Sequence, residues 1–193
     1  MSSTNRGGDR NKDDYYYTPL QTIRDFWFKF CQTEGVSIED FKMILDPCAG
    51  GDDKRDCAYP LALIDTDDRI GFSRFLTIDI RNDSRALHKE DYLLKSYGMH
   101  ELIISNPPYS LFELFLVKAL KEIEPNGYVI FLLRLNAAGG QKRRVEFWDK
   151  FMPKSIYVHS KRPCFMKGGS DSCEYAHFVW QNGYIGETTF HWV

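Results

Sequence analysis

Short apolar runs alternate along this chain with stretches in which apolar residues recur at helical spacing, and this alternation constrains the fold most. Alternating strands and helices favour an α/β fold with a mostly parallel sheet and helices on both faces. The last two runs, around a turn at Asn182-Gly183, predict a terminal antiparallel pair at one edge. The predicted strands are 43–45, 75–79, 102–104, 128–133, 156–158, 175–180 and 188–193.

Capping patterns predict where the helices begin. Thr18 is a candidate N-cap, Pro19 fits the first helical position and Gln21 completes a capping box, so a helix is expected up to Gly35. A second box at 110–113 predicts a helix that stops at 125–127, and a short helix is expected at 145–151 after a mobile basic segment. Residues 54–74 show no clear periodicity and are expected to form an irregular connection.

Composition indicates one soluble domain over residues 15–193, with a disordered tail at 1–14 that has nothing to bury. The 43% hydrophobic content includes no run near the roughly 18 residues that span a bilayer, so no membrane contact is expected and the cytoplasm is the predicted location. Five cysteines without a CxxC pair favour reduced thiols, and no metal is expected.

The net charge of −2 conceals an asymmetry between the two parts of the chain. Residues 1–133 carry 16 Lys and Arg against 22 Asp and Glu, whereas residues 134–193 carry 9 against 5. Such a distribution suits a polyanion held on one side. Unevenly solvated faces explain the charges equally well.

A proline-stiffened turn, Asn106-Pro107-Pro108-Tyr109, follows the apolar run 102–104. Prolines restrict the backbone, so the Asn106 side-chain oxygen and the Pro107 carbonyl could be held as two acceptors for one planar amino group. Tyr109 could stack on the ring that carries this amine. An ordinary strand-ending turn is the alternative, because Asn-Pro pairs mark turns in general.

Acids and glycines also follow the other predicted strands. Asp46 and Gly50 come after the first strand and Asp79 ends the second, where an acid commonly binds ribose hydroxyls. Asp91 with Tyr92 could meet the amino group and face of an adenine, or could equally be a helix-start acid beside a core tyrosine. Carboxyl ends of parallel strands share one edge of a sheet, so these residues are expected to line one site with Asn106.

These motifs, in this order, resemble the amino-group DNA methyltransferases that use S-adenosylmethionine, most closely the small phage-type adenine-N6 methyltransferases. The resemblance covers residues 15–133 and begins at the Tyr-Thr-Pro segment 17–19, and the stretch 161–180 is similar to the tail of phage-type members. It implies a Rossmann-like class I methyltransferase fold with a seven-stranded sheet. One departure is Asp52, which stands where many relatives have a third loop glycine.

The resemblance also implies a role for each matching residue. Asn106, Pro107, Pro108 and Tyr109 would be catalytic: two acceptors localise the lone pair of the adenine amino nitrogen for attack on the sulfonium methyl, with neither a metal nor a covalent cysteine. The base must be flipped out of the duplex onto Tyr109. The implied cofactor-binding residues are Tyr17, Pro19, Asp46, Gly50, Asp79, Asp91 and Tyr92.

DNA is the expected partner, although the same turn also occurs in methyltransferases that act on RNA amino groups or on protein glutamines. A methyltransferase fold kept as a non-catalytic binding module is a third alternative. No large target-recognition domain is visible, so sequence selectivity is expected to be short or relaxed. The residues expected to bind DNA phosphates are Lys142, Arg143, Arg144, Lys161 and Arg162.

Overall fold

A computed structural model describes residues 15–64, 69–165 and 173–193, and the predicted tail at 1–14 lies outside these ranges. Seven strands form a single sheet in the order β2-β1-β3-β4-β6-β5-β7. All neighbouring strands are parallel except at β6, which runs antiparallel to both β4 and β5. The strands are β1 (Ile44–Asp46), β2 (Phe75–Thr77), β3 (His100–Ser105), β4 (Ile123–Arg134), β5 (Ser155–Val158), β6 (Tyr175–Gln181) and β7 (Thr189–Trp192).

Helices cover both faces of this sheet, which confirms the predicted α/β architecture. Strand side chains alternate between the two faces, so Leu45, Ile103 and Val129 pack in one apolar cluster while Ile44 and Leu102 pack in the other. The first cluster is closed by α4, and the second by α1 and α2. The helices are α1 (Leu20–Glu34), α2 (Ala58–Leu63), α3 (Arg69–Ser73), α4 (Phe112–Ala119) and α5 (Gln141–Arg143).

The predicted terminal antiparallel pair is wrong. β7 pairs in parallel with β5, in register Ser155 with Thr189, and does not pair with β6. Both edges of β6 are already hydrogen-bonded, one to β4 and the other to β5, so the last strand cannot pair with β6 and joins the outer edge of β5 instead. A hairpin pattern in the sequence does not predict this outcome, because the pairing of β6 with β4 and β5 depends on strands that are distant in the chain.

Three further local predictions are also wrong. Pro19 is the N-cap of α1 and no side chain caps that helix, although the stop at Gly35 is confirmed by its left-handed φ of 69°. Leu111 is the N-cap of α4, again without a side-chain cap, and residues 125–127 belong to β4 instead of ending a helix.

Residues 54–74, predicted to be an irregular connection, contain α2. This helix forms because Ala58, Tyr59 and Leu63 are buried against α1, a tertiary contact that periodicity does not show.

The segment after β4 consists of short helical turns. A 3₁₀ turn (Leu135–Ala138) leads to α5 and then to a π-helical turn (Arg144–Trp148), which corresponds to the predicted short helix. Trp148 Nε1 donates to the Ala137 carbonyl over 3.0 Å and joins the two ends of this segment. Across the described ranges, we find no helix with both the length and the apolarity that a membrane span requires.

Candidate active site

A cleft of about 840 Å³, counted with its open mouth, lies at the carboxyl ends of β1, β2 and β3. Residues 15–18, here called the strap, run along the cleft before α1 begins. Among the residues predicted from the sequence, those lining the cleft are Tyr17, Asp79, Asp91, Tyr92, Asn106 and Pro108.

Other predicted residues lie behind or beside the lining. Asp46 is fully buried at the end of β1, and its Oδ1 accepts hydrogen bonds from Ser105 Oγ over 2.6 Å and from the Cys48 amide over 3.2 Å. Its Oδ2 is buried and makes no hydrogen bond within the described part of the chain. Burial raises the pKa of the Asp46 carboxyl to about 7.

Side chains of the protein itself pack closely against the two glycines of the loop after β1. Gly50 and Gly51 have φ values of 66° and 80°, where a side chain is strained. A Cβ on Gly50 would stand 2.6 Å from the Tyr15 ring, and one on Gly51 would stand 2.7 Å from Arg85 Cβ. The glycines therefore admit close packing of the strap and of Arg85, and Gly50 does not line the cleft.

Asp79 connects this loop to the strand beside it. Its Oδ2 accepts from the Gly50 amide and its Oδ1 from the Arg81 amide, each over 2.8 Å. Burial raises the pKa of the Asp79 carboxyl. The Arg81 guanidinium donates to the Gly51 carbonyl and lies 3.5 Å from the centre of the Tyr15 ring, so it clamps the loop and the strap together.

Asp91 and Tyr92 are a turn-start acid and a core tyrosine, as one of their two interpretations expects. Asp91 accepts from the Leu93 amide over 2.9 Å and begins a 3₁₀ turn, Tyr92–Leu94. Tyr92 is 2% exposed and packs against Phe115 in the core. Both residues nevertheless line the cleft, so a turn-start acid and a core tyrosine also form one of its walls.

The Asn106 amide is held by the strap. Its Nδ2 donates to Thr18 Oγ1 over 3.1 Å and to the Tyr16 carbonyl over 3.4 Å. A backbone carbonyl only accepts hydrogen bonds, so these contacts place the amide nitrogen on the strap side and leave Asn106 Oδ1 as an acceptor. Pro107 is buried and Pro108 lines the cleft, which keeps the turn fixed.

Tyr109 is half-buried next to Asn106 and does not line the cleft. The Arg134 guanidinium carbon lies 5.2 Å from the centre of its ring, and the Tyr175 ring lies 6.0 Å away. An arginine therefore stands over one face of the ring. A base that stacks on Tyr109 would therefore have to share the ring with these neighbours or displace them.

Four of the five predicted phosphate-binding residues face nearby carboxylates. Arg143 is the most tightly held, with its Nε 2.7 Å from Glu113 of α4. Lys142 and Arg144 form long contacts of 3.8 and 3.6 Å with Glu146 and Asp149, and remain 85% and 79% exposed. Arg162 pairs with Glu174, and Lys161 is exposed.

Sequence reasoning missed a buried polar chain that ends at the cleft. Tyr59 lines the cleft, and its hydroxyl is 3.2 Å from His177 Nε2, whose Nδ1 is 2.8 Å from His159 Nε2. These residues lie in α2, in β6 and just after β5, so no local pattern could have grouped them. Burial lowers the pKa of His159 to about 4 and that of His177 well below its usual value, which keeps both imidazoles neutral at pH 7.

Comparison with known proteins identifies the fold. No protein-family model and no curated protein matches the sequence. Solved structures do match: a class I S-adenosylmethionine-dependent methyltransferase of Listeria monocytogenes aligns with a TM-score of 0.67 at 15% identity, over 97% of this chain and 68% of its own.

Two DNA-modification subunits are similar as well. The M protein of the type I restriction enzyme EcoKI aligns with a TM-score of 0.63 at 11% identity, over 88% of this chain and 44% of its own. A type I restriction-modification methyltransferase subunit of Streptococcus thermophilus aligns with a TM-score of 0.62 at 11% identity, over 92% of this chain and 47% of its own. This chain therefore spans about half the length of those subunits and has the class I methyltransferase fold.

Proposed function

We propose that the protein is an S-adenosylmethionine-dependent methyltransferase that acts on the amino group of adenine in DNA. One observation carries this proposal: Asn106 and Pro108 line the same cleft as Asp79 and Asp91. The first two belong to the proposed amine-binding turn, residues 106–109, and the other two are proposed cofactor-binding residues. Methyl transfer requires the donor and the acceptor to meet in one site. The DNA-modification subunits with the same fold support DNA as the substrate.

The residues of the cleft suit the cofactor. Asp79 and Asp91 supply carboxylates for hydroxyl and amino groups, and Tyr17 and Tyr92 supply aromatic walls. Asp46 lies behind the lining, and we assign its buried Oδ2, which makes no hydrogen bond within the described residues, to the ammonium at the amino-acid end. We assign Pro19 and Gly50 to the support of this site from behind the lining. When bound, S-adenosylmethionine supplies an electrophilic methyl group on a sulfonium.

On the acceptor side, Asn106 Oδ1 and the Pro107 carbonyl accept the two hydrogens of the target amino group. This removes the nitrogen lone pair from conjugation with the ring and directs it toward the cofactor. Pro108 fixes the turn, and the ring of Tyr109 stacks on the flipped base. Five basic residues bind the phosphates of the surrounding DNA. Lys142, Arg144 and Lys161 are exposed, whereas Arg143 and Arg162 also form ion pairs with Glu113 and Glu174.

The test is incubation with labelled S-adenosylmethionine and separate pools of unmethylated DNA, RNA and protein, followed by nucleoside and amino-acid analysis. We expect label in DNA as N6-methyladenine. The matched control is Asn106→Ala, for which we expect no turnover but nearly unchanged cofactor affinity. Label in RNA or in protein glutamine would refute DNA as the substrate, and cofactor binding without any transfer would indicate a binding module.

A further inference from the structure

The strap joins the cofactor side of the cleft to the amine-binding turn. On the cofactor side, the Tyr15 ring packs on Gly50 under the Arg81 guanidinium, and the Arg55 guanidinium lies 4.4 Å from the centre of the Tyr17 ring. On the other side, the strap holds the Asn106 amide through one side chain and one carbonyl. The position of that amide is therefore tied to the loop that follows β1.

Thr18 provides the side-chain part of this contact. Its hydroxyl is not used to cap α1, because Pro19 occupies the N-cap position. Thr18 is 2% exposed, so water does not readily replace its oxygen as a partner for Asn106. Because the amide group is planar, a bond at Nδ2 also fixes the direction in which Oδ1 points.

We propose that Thr18 is a positioning residue for the methyl transfer, which orients Asn106 so that its oxygen accepts a hydrogen of the target amine. This inference rests on the proposed function and adds a residue to it. Without the Thr18 hydroxyl, only the long 3.4 Å contact with the Tyr16 carbonyl holds the nitrogen on the strap side, so the amide turns its nitrogen toward the substrate more easily. A donor in that place would repel the amino hydrogens instead of accepting one.

The kinetic test compares Thr18→Val, which keeps the shape and removes the hydroxyl, with Thr18→Ser, which keeps the hydroxyl. We expect Thr18→Val to lower the single-turnover methylation rate by about tenfold or more, the equivalent of one lost hydrogen bond. Its affinity for S-adenosylmethionine and its melting temperature should stay close to the wild-type values, and Thr18→Ser should restore most of the rate. Equal rates in all three proteins would overturn the proposal, as would a parallel loss of cofactor affinity and rate.

A second readout needs no activity, so that failure of the proposed function can be recognised separately. The side-chain NH₂ signals of Asn106 can be identified in ¹⁵N spectra by their absence in Asn106→Ala. We expect their exchange with solvent to accelerate in Thr18→Val and to stay slow in Thr18→Ser. Unchanged exchange in Thr18→Val would refute the positioning role, whereas absence of DNA methylation by the wild-type protein would refute only the proposed function.

Discussion

Ser105 Oγ donates a 2.6 Å hydrogen bond to Asp46 Oδ1 and thereby links the strand before the proposed amine-binding turn to the strand before the glycine loop. The bond crosses between β3 and β1, which are paired in the sheet. The carboxyl remains protonatable near neutral pH, because its burial raises its pKa to about 7 despite this bond.

Cofactor affinity should therefore depend on the ionisation of Asp46. Below pH 7 the carboxyl is protonated and cannot pair with the ammonium of S-adenosylmethionine, so we expect the dissociation constant to fall as pH rises from about 5.5 to 7.5, by at most about tenfold per unit. Calorimetric titration at several pH values measures this change. Asp46→Asn should bind more weakly and lose most of the pH dependence; a variant with the wild-type pH profile would show that Asp46 does not face the cofactor.

Replacement of Gly50 by alanine should displace the strap. The new Cβ would meet the Tyr15 ring at 2.6 Å in addition to adopting a strained φ. Gly98→Ala is the matched control, because Gly98 has a φ of 85° and, apart from its chain neighbours, no described residue has a heavy atom within 4 Å of the place that a Cβ would take. Both variants should lose roughly 1 kcal/mol of unfolding free energy from the backbone.

Only Gly50→Ala should also weaken cofactor binding and speed proteolysis within the strap. Limited proteolysis and calorimetry distinguish the two variants. Equal behaviour of both would mean that the contact between Tyr15 and Gly50 does not hold the strap.

DNA affinity should depend on Lys142 and Arg144, the exposed cations whose carboxylate contacts are long. Exposed ion pairs of this kind contribute little and exchange readily for phosphate. Replacing both by alanine should weaken DNA binding and reduce the salt slope by about two. Fluorescence anisotropy at several salt concentrations measures both quantities.

The control for this pair is the double alanine variant of Lys42 and Lys121, which makes the same change in charge. These exposed lysines precede β1 and β4, so they lie at the amino ends of the strands, whereas the cleft lies at the carboxyl ends. We expect their replacement to leave the slope nearly unchanged. Equal slopes for the two double variants would argue against a phosphate-binding role for Lys142 and Arg144.

Stability in acid should depend on His159. Its pKa in the folded protein is about 4, below the ordinary value of 6.5, so the unfolded chain binds more protons between these values. The unfolding free energy therefore falls as pH decreases from about 6.5 to about 4, by on the order of 3 kcal/mol from this residue. Asp46, with its raised pKa, contributes in the opposite direction over much of this range.

The His159 contribution is isolated by comparison with His159→Gln, which keeps a hydrogen-bonding side chain beside His177. Urea unfolding at pH 7 and pH 4.5 should show a larger loss of stability for the wild-type protein than for the variant. The neighbours that influence His159 are His177 and Asp25, and both are retained. An equal loss in the two proteins would place the acid sensitivity elsewhere.

The sequence alone determined the strands and the order of the residues that follow them. The runs that became β1 to β4 were recognisable because strands buried on both faces are short and apolar. Asp79 and Asn106 could be assigned to one site because the carboxyl ends of parallel strands meet at one edge of the sheet. These features depend on local composition and on a general rule of topology.

Only the tertiary structure decided what those residues contact. The pairing of β7 with β5, the packing of Tyr15 on Gly50 and the bond from Asn106 to Thr18 join segments that are distant in sequence. The sequence predicted Thr18 as a helix cap, because a local pattern considers only the nearest backbone amides as partners for its hydroxyl. Its hydroxyl instead accepts a hydrogen bond from the side-chain amide of Asn106, 88 residues away, since folding brings the strap over the carboxyl end of β3.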